Sequence, residues 1–302
     1  MFNGLELLIF YVYGIPLLLI VFRIAKVLWT ERQESTHNKL FSYFAINGCA
    51  LYVLNNFALR LPSVKFFYDR YFSKVDDYPT FYFLISFFRN YCEYFFYFNA
   101  VLLAINRFMA VYNHARCEVH WKGRRWYYLI FLICGPFFAC YHYLIASVQV
   151  RTFQLENRTI AMMMLKSKFH DVYPYFEFES MALVSFEFGI IAFVGILLMW
   201  KQRVAENKIP EKERSYELKL IWITVIIYCI GILAFLHSWF FHLLPNYFIW
   251  LVINDAVALL PPCLLLFASP SLRAKVLPQN VRQRAFDLYI DFLLIGISLD
   301  AE

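Results

Sequence analysis

Two oppositely charged residues, Arg89 and Glu93, lie within an otherwise apolar and aromatic stretch of the chain. If that stretch is helical, a spacing of four residues places both side chains on one face, where they can form an ion pair. An arginine can instead extend toward lipid headgroups, or bind a carboxylate or another anion through two parallel hydrogen bonds. The sequence therefore predicts either a structural role for Arg89 or an anchor for an anionic ligand.

A second arginine, Arg107, follows Arg89 by eighteen residues and is preceded by Asn106. Eighteen residues make five whole turns of an α-helix, so the two arginines share a face and stand about 27 Å apart. That distance is close to the thickness of the hydrocarbon core of a bilayer. The spacing predicts that Arg107 marks one boundary of a membrane span, with Arg89 near the other boundary and Glu93 about one turn deeper.

Three more ionisable residues occur in apolar stretches at a depth similar to that of Glu93. They are Glu187, His237 and Asp255. Charged groups within a membrane normally face the interior of the protein or a water-filled cavity. We therefore expect them to surround one cavity together with Arg89 and Glu93; for each acid alone, a hydrogen bond to a neighbouring helix is an equal alternative. The candidate aromatic walls of this cavity are Tyr91, Tyr141, Trp239 and Trp250.

Helices in lipid are the elements that must position these residues. The 302-residue chain is 61% hydrophobic and only 17% charged, whereas a water-soluble domain keeps about a quarter of its residues charged. At roughly 20 apolar residues per span, we predict an all-α membrane protein with a seven-helix bundle over residues 1–275 and a tail over 276–302 that contains an interfacial segment. The predicted spans are about 5–29, 40–61, 80–106, 126–148, 176–200, 218–242 and 247–268.

The distribution of lysine and arginine predicts the orientation of the spans. With the N-terminus outside, the inner segments contain more than twice as many of these residues as the outer segments, as the positive-inside rule requires. Arg60 counts among the outer charges in this scheme. The sequon Asn157-Arg158-Thr159 falls in an outer loop. We therefore expect the C-terminus inside and a glycan on Asn157.

Several short motifs resemble those of G-protein-coupled receptors. Leu103-Ala104-Ile105-Asn106-Arg107-Phe108 closes the third span, where rhodopsin-like receptors have an acidic-Arg-aromatic triplet. Asn254-Asp255, Pro261-Pro262 and Ser269-Pro270-Ser271-Leu272-Arg273 resemble their kinked seventh helix and the short membrane-surface helix that follows. More narrowly, the Leu54-Asn55-Asn56 run, the Asn106-Arg107 pair and the aromatic-rich spans resemble nematode serpentine chemoreceptors of the gamma class. The likeness covers residues 5 to about 275.

The chain departs from the receptor pattern in three places. Residues 149–175 contain no cysteine, so the usual disulfide between the third span and the second outer loop is absent. Asn106 replaces the acidic residue of the triplet. The sixth span has no proline, so the resemblance does not extend to a kink there.

The resemblance implies a chemosensory receptor in the plasma membrane, including that of a sensory cilium. Such a receptor binds a small-molecule ligand of the odorant or pheromone class in its outer half. It signals through a heterotrimeric G protein, for which Asn106 and Arg107 are the expected coupling residues. No enzymatic activity is expected.

Other function classes receive less support. The sequence has no Gly-rich phosphate loop, basic tract or metal-finger spacing, so we expect neither nucleic acid nor a metal or other cofactor as a partner. The seven cysteines show no pairing pattern. The strongest alternative is a seven-span ligand-gated channel or small-molecule transporter, which would show polar faces that continue through several spans or paired broken helices.

Overall fold

The computed structural model describes residues 4–31, 36–73, 79–112, 123–145, 147–155, 158–166, 211–240 and 247–277, together with isolated residues between these ranges. Most of this part of the chain is helical. The helices are α1 (Gly4–Glu31), α2 (Thr36–Asn55), α3 (Lys65–Arg70), α4 (Pro79–Tyr112), α5 (Arg125–Cys140), α6 (Glu211–Phe240), α7 (Tyr247–Ala268) and α8 (Pro270–Val276). A π-helical segment (Asn56–Arg60) and a 3-10 turn (Leu61–Ser63) continue α2, and a second 3-10 turn (Tyr141–Ile145) continues α5.

Six of the predicted spans overlap helices of the described chain, and α7 has the predicted bounds of 247–268. The fourth predicted span, 126–148, extends beyond α5 into the 3-10 turn and the first residues of a β-strand. The fifth predicted span, 176–200, lies almost entirely outside the described residues, as does the tail from residue 278 onward. Within the described ranges, three segments are long and apolar enough to cross a membrane: Leu8–Thr30, Pro79–Tyr112 and Phe248–Leu266. Trp126–Cys140 and Leu218–Ala234 are shorter apolar helical stretches.

The helices are apolar on their outer faces as well as in the core. On α1, Phe10 and Ile24 are fully buried, whereas Val12 and Phe22 on the other side are 65% and 64% exposed. A helix that is apolar on every side either lies in the core of a large protein or spans a membrane. Because these outer faces are exposed in the protein, lipid is the solvent that suits them.

Helix α2 lies at the centre of the packing and contacts α1, α4 and α7. Helix α4 also packs against α5 and α6, and α7 packs against α6 and α1. Their shared core is built from large aliphatic and aromatic side chains, among them Phe41, Phe96, Leu103, Ile227 and Leu259. Burial of such a side chain contributes about 1.5–3 kcal/mol in water, but in lipid the fit between the helices matters more.

Two asparagines connect α2 and α4 through reciprocal hydrogen bonds. Asn47 Nδ2 on α2 donates to the carbonyl of Cys92 at 2.9 Å, and Asn99 Nδ2 on α4 donates to the carbonyl of Leu40 at 3.1 Å. Both hydrogen bonds are buried. Interhelical bonds of this kind contribute about 0.6 kcal/mol on average in a membrane, so the asparagines set the register of the two helices more than they add stability.

A β-hairpin of strands β1 (Ser147–Leu155) and β2 (Arg158–Lys166) covers one end of the bundle, which we call the hairpin end. Alternate residues of β2, namely Ala161, Met163 and Leu165, are buried against helices, as the period of two in a strand requires. Ser63 Oγ, beyond the π-helical segment, donates to the carbonyl of Ala161 at 2.7 Å. The hairpin is therefore attached to the end of α2.

Helices α2 and α7 approach each other most closely at Gly48. A Cβ atom at this position would lie 2.0 Å from the carbonyl oxygen of Ala258. That carbonyl stands four residues before Pro262, which has no N–H to donate to it. Helix α7 nevertheless continues through Pro261 and Pro262 to Ala268, although neither proline has an N–H to donate to its hydrogen-bond ladder. Glycine at position 48 gives the carbonyl of Ala258 the space that it needs.

We predict that Gly48→Ala destabilises the bundle by about 1–3 kcal/mol, the usual cost of overpacking, because the new methyl group meets backbone rather than a movable side chain. Thermal unfolding of the purified protein in detergent measures the effect. Gly123→Ala is the matched control, since a Cβ atom there meets nothing within 4 Å. Equal melting temperatures for the two variants would contradict the close approach.

Candidate functional site

A buried ion pair joins α7 to the end of α2. The guanidinium of Arg60 donates from Nη2 to Asp255 Oδ2. The hydroxyl of Tyr13 on α1 donates to the same carboxylate oxygen at 2.6 Å. Arg60 Nη1 also donates to Asn56 Oδ1 at 2.9 Å. We call Tyr13, Asn56, Arg60 and Asp255 the Arg60 cluster; it connects three helices through one carboxylate.

Aromatic rings enclose the guanidinium of Arg60. Its Cζ atom lies 4.6 Å from the ring centroid of Phe10 and 5.3 Å from that of Tyr52. Gly14 allows Tyr52 to approach α1, because a Cβ atom at position 14 would lie 1.9 Å from the Tyr52 hydroxyl. The relative exposure is 0% for Arg60 and 3% for Asp255. Both charges are thus removed from solvent, and each depends on the other for compensation.

The burial of Arg60 corrects its assignment to the outer loop charges. Its position at the end of the second predicted span, 40–61, had placed it among the outer charges. The chain instead forms one π-helical turn at Asn56–Arg60, and Arg60 is completely buried. A π-helical turn changes the direction of the residues that follow it, and such turns are frequent at functional sites.

A second ion pair lies on α4, where the sequence placed it. Arg89 Nη2 lies 3.2 Å from Glu93 Oε2. Arg89 Nε donates to Asn55 Oδ1 on α2 at 3.0 Å, and Nη1 donates to Asn90 Oδ1 at 3.0 Å. We call these four residues the Arg89 cluster. Its two charged side chains are 14% and 18% exposed, so they are accessible in a way that Arg60 is not.

The two acids predicted to share one cavity, Glu93 and Asp255, belong to different clusters. Glu93 pairs with Arg89 and Asp255 pairs with Arg60. Their closest link is the junction between α2 and the π-helical segment, where Asn55 bonds to Arg89 and its neighbour Asn56 bonds to Arg60. The described residues therefore show two adjacent polar clusters, and the shared cavity stays a prediction.

The remaining predicted residues are only partly described. Glu187 and Asn157 lie outside the described residues. His237 and Trp239 are placed in the backbone of α6, and their side chains are not described. Trp250 packs beside Phe10 and Met163 at the hairpin end.

Two of the proposed aromatic walls do not line the clusters. Tyr91 donates to the carbonyl of Ile133 on α5 at 3.0 Å. Tyr141 is 61% exposed, on the outer surface of the bundle. Their hydroxyl groups thus serve helix packing or the membrane interface.

At the opposite end of α4, Asn106 and Arg107 are 2% and 4% exposed. Arg107 Nη2 donates to Asn106 Oδ1 at 2.6 Å. The amide of Asn106 thus holds the guanidinium at the place where an acidic side chain stands in the resembling receptors. A neutral acceptor makes a weaker hydrogen bond to arginine than a carboxylate does, so this one contact is weaker than the ion pair that an acidic residue at position 106 would form.

Among the described residues, no group of three or more His, Cys, Asp or Glu side chains is placed to hold a metal ion. No disulfide bond joins the described cysteines to one another.

The sequence contained one signal that could have identified the Arg60 cluster. An acid within a span requires a partner, and Asp255 has no basic residue within its own helix. Its partner must therefore come from another helix near the hairpin end. Arg89 on α4 already pairs with Glu93 at the i+4 position, which leaves Arg60 at the end of α2 as a candidate. Tyr13 gave no comparable signal, because six of the seven predicted spans contain tyrosine.

The comparisons with known proteins identify a family. A family model described as "Srg family chemoreceptor" matches residues 7–276, which is most of the chain. The match includes the Arg60 cluster, the Arg89 cluster and the Asn106–Arg107 pair. No curated protein matches the chain.

We predict that Arg60→Ala destabilises the protein by about 3–5 kcal/mol, because it leaves the buried carboxylate of Asp255 without its countercharge. Arg70→Ala, which truncates an exposed arginine of α3, should change stability by no more than about 0.5 kcal/mol. Thermal unfolding in detergent and the fraction of protein at the cell surface measure both variants. Similar behaviour of the two would contradict the burial of Arg60.

Proposed function

The chain belongs to the Srg family of nematode serpentine chemoreceptors, and from this premise we propose that it is a seven-span receptor for a small molecule that signals through a heterotrimeric G protein. The family membership supports a chemosensory receptor, rather than an enzyme, in a membrane. The long apolar helices support the location in a membrane. We place the receptor in the plasma membrane, including that of a sensory cilium.

The observation that favours a ligand site at the hairpin end is the Arg89 cluster. An ion pair whose side chains are 14% and 18% exposed, within an apolar bundle, offers both a donor and an acceptor to a polar ligand. The guanidinium can bind a carboxylate or carbonyl oxygen, and the carboxylate of Glu93 can accept from a hydroxyl or amino group. In this proposal Arg89 and Glu93 contact the ligand, while Glu187 and His237 complete the pocket from the fifth and sixth spans.

Helix α4 connects this site to the opposite end of the bundle. It carries both the Arg89 cluster and the Asn106–Arg107 pair, which lies about 27 Å away along the helix. We propose that the end with Arg107 binds the G-protein α-subunit. A ligand favours the signalling state only if it binds that state more tightly than the resting state, so contacts that differ between the two states are required at the Arg89 cluster.

The proposed orientation has the N-terminus and the β-hairpin outside the cell. The positive-inside rule favours it, and so does the sequon at Asn157, which stands between β1 and β2 in the chain. This orientation exposes the hairpin end to external ligands and places Arg107 in the cytoplasm.

We predict that a small-molecule screen in cells that express the receptor and a promiscuous G-protein α-subunit gives a ligand-dependent calcium response. Arg107→Ala should abolish the response at an unchanged surface level. Arg89→Ala should weaken the apparent affinity by about 10–100-fold, as expected for the loss of a charged hydrogen bond. Arg23→Ala is the control, since it truncates an exposed arginine on α1. A ligand-evoked current that persists without any G protein would favour the channel alternative.

We predict that a glycosidase that removes N-linked glycans increases the gel mobility of the expressed receptor, and that Asn157→Gln removes this shift. The glycan forms only on a segment that enters the lumen of the secretory pathway. Thr159→Ala, which destroys the sequon and retains the asparagine, should behave in the same way. If antibodies could not reach an epitope tag at the N-terminus in intact cells, the proposed orientation would be contradicted.

A further inference from the structure

The Arg60 cluster has features that a purely structural ion pair does not need. Within the described ranges, Arg60 Nε and Asp255 Oδ1 are buried and have no hydrogen-bond partner. Buried polar atoms are normally paired, and those that are not call for a physical reason. Here one oxygen of Asp255 receives two donors while the other receives none. The cluster is therefore held together and at the same time incompletely satisfied.

Asp255 holds α7 at a point just before the two prolines of that helix. It precedes Pro261 and Pro262 by about two turns of α7, so the helix loses backbone hydrogen bonds directly after the point at which it is held. On the same side, the carbonyl of Ala258 rests against Gly48 of α2. Helix α7 is thus held at its hairpin end by charge and is weakened just beyond that point.

The Arg60 cluster also lies next to the proposed ligand site without being part of it. Asn55, the last residue of α2, accepts from Arg89, and Asn56, the first residue of the π-helical segment, accepts from Arg60. A displacement of the Asn55 backbone also moves Asn56, because the two residues are joined by one peptide bond. Arg60 itself has 0% exposure, so a ligand that enters from the hairpin end reaches the Arg89 cluster first.

We infer that the Arg60 cluster is an interhelical restraint that keeps α7 against α1 and α2 in the resting receptor. Ligand binding at the Arg89 cluster moves Asn55 and, through the π-helical segment, loosens the contact between Arg60 and Asp255. Helix α7 then moves about its two prolines. This inference rests on the proposed receptor function and adds to it the element that the ligand must shift.

The test removes both charges at once, because loss of one partner alone leaves an uncompensated charge in the bundle. In the double variant Arg60→Met with Asp255→Leu, apolar side chains of similar length replace the pair. We expect its ligand-independent signalling to rise about fivefold above wild type at matched surface level. Adding Arg107→Ala to this variant should abolish the increase, since the signal then no longer reaches the G protein.

A milder variant covers the case in which the double replacement does not reach the surface. Tyr13→Phe removes only the hydroxyl that donates to Asp255 and retains the ring. It should raise ligand-independent signalling about twofold. Asn99→Ala is the control for a general weakening of the contact between α2 and α4, because it removes a buried hydrogen bond to the carbonyl of Leu40, which stands fifteen residues before Asn55 on α2. Its basal signalling should equal that of wild type.

The outcomes separate the two proposals. A wild-type receptor that responds to a ligand, together with surface-expressed Tyr13→Phe and double variants whose basal signalling stays at the wild-type level, would overturn the restraint and leave the receptor function intact. Equal increases in Asn99→Ala and in the cluster variants would also overturn it, since any loosening of the contact between α2 and α4 would then suffice. A well-expressed wild type that is silent across the whole ligand library would contradict the proposed function itself.

Discussion

The buried contact between Arg60 and Asp255 is the interaction on which the arrangement of α1, α2 and α7 depends. Two opposite charges with almost no exposure are tolerated within an apolar bundle only when they face each other. Their contact therefore fixes the rotation of α7 relative to α2, and the hydroxyl of Tyr13 brings α1 to the same carboxylate. Close packing at Gly48 and the hairpin bond at Ser63 are compatible with this one rotation.

The sequence predicted the helices well where length and hydropathy decide. The bounds of α7 agree because the apolar run is limited on both sides by polar residues and proline. The spacing of Arg89 and Glu93 indicated their contact, since it depends on only one helix. The family resemblance, based on Asn106-Arg107, the prolines of α7 and Leu54-Asn55-Asn56, is confirmed by the match to the Srg family.

The features that the sequence did not predict depend on contacts between distant segments. Arg60 and Asp255 are separated by 195 residues, and a π-helical turn that determines the direction of Arg60 has no reliable sequence signature. The β-hairpin was expected only as a loop. In the first strand, β-branched residues such as Val148, Val150 and Thr152 alternate with polar ones, a pattern typical of a strand. The prediction considered only helices for a chain in lipid and therefore included no strand here.

The two ion pairs at the hairpin end have different proposed roles: the Arg89 cluster binds the ligand, and the Arg60 cluster restrains α7. The two charged side chains of the Arg89 cluster are accessible, which suits a site that exchanges partners with a ligand. The Arg60 cluster is inaccessible and incompletely bonded, which suits an element that is released indirectly. An apolar pair of similar volume would often be as stable as a buried salt bridge, so the charges are better explained by the specific arrangement of helices that they enforce than by stability.

The most direct test of this account is a double-mutant cycle on thermal unfolding in detergent with Arg60→Met, Asp255→Leu and the combination of the two. If the two side chains form a buried ion pair, each single variant is strongly destabilised and the double variant is more stable than either, with a coupling energy of about 2 kcal/mol or more. Losses that simply add in the double variant would show that the two residues do not interact, and the restraint on α7 would have to be sought elsewhere.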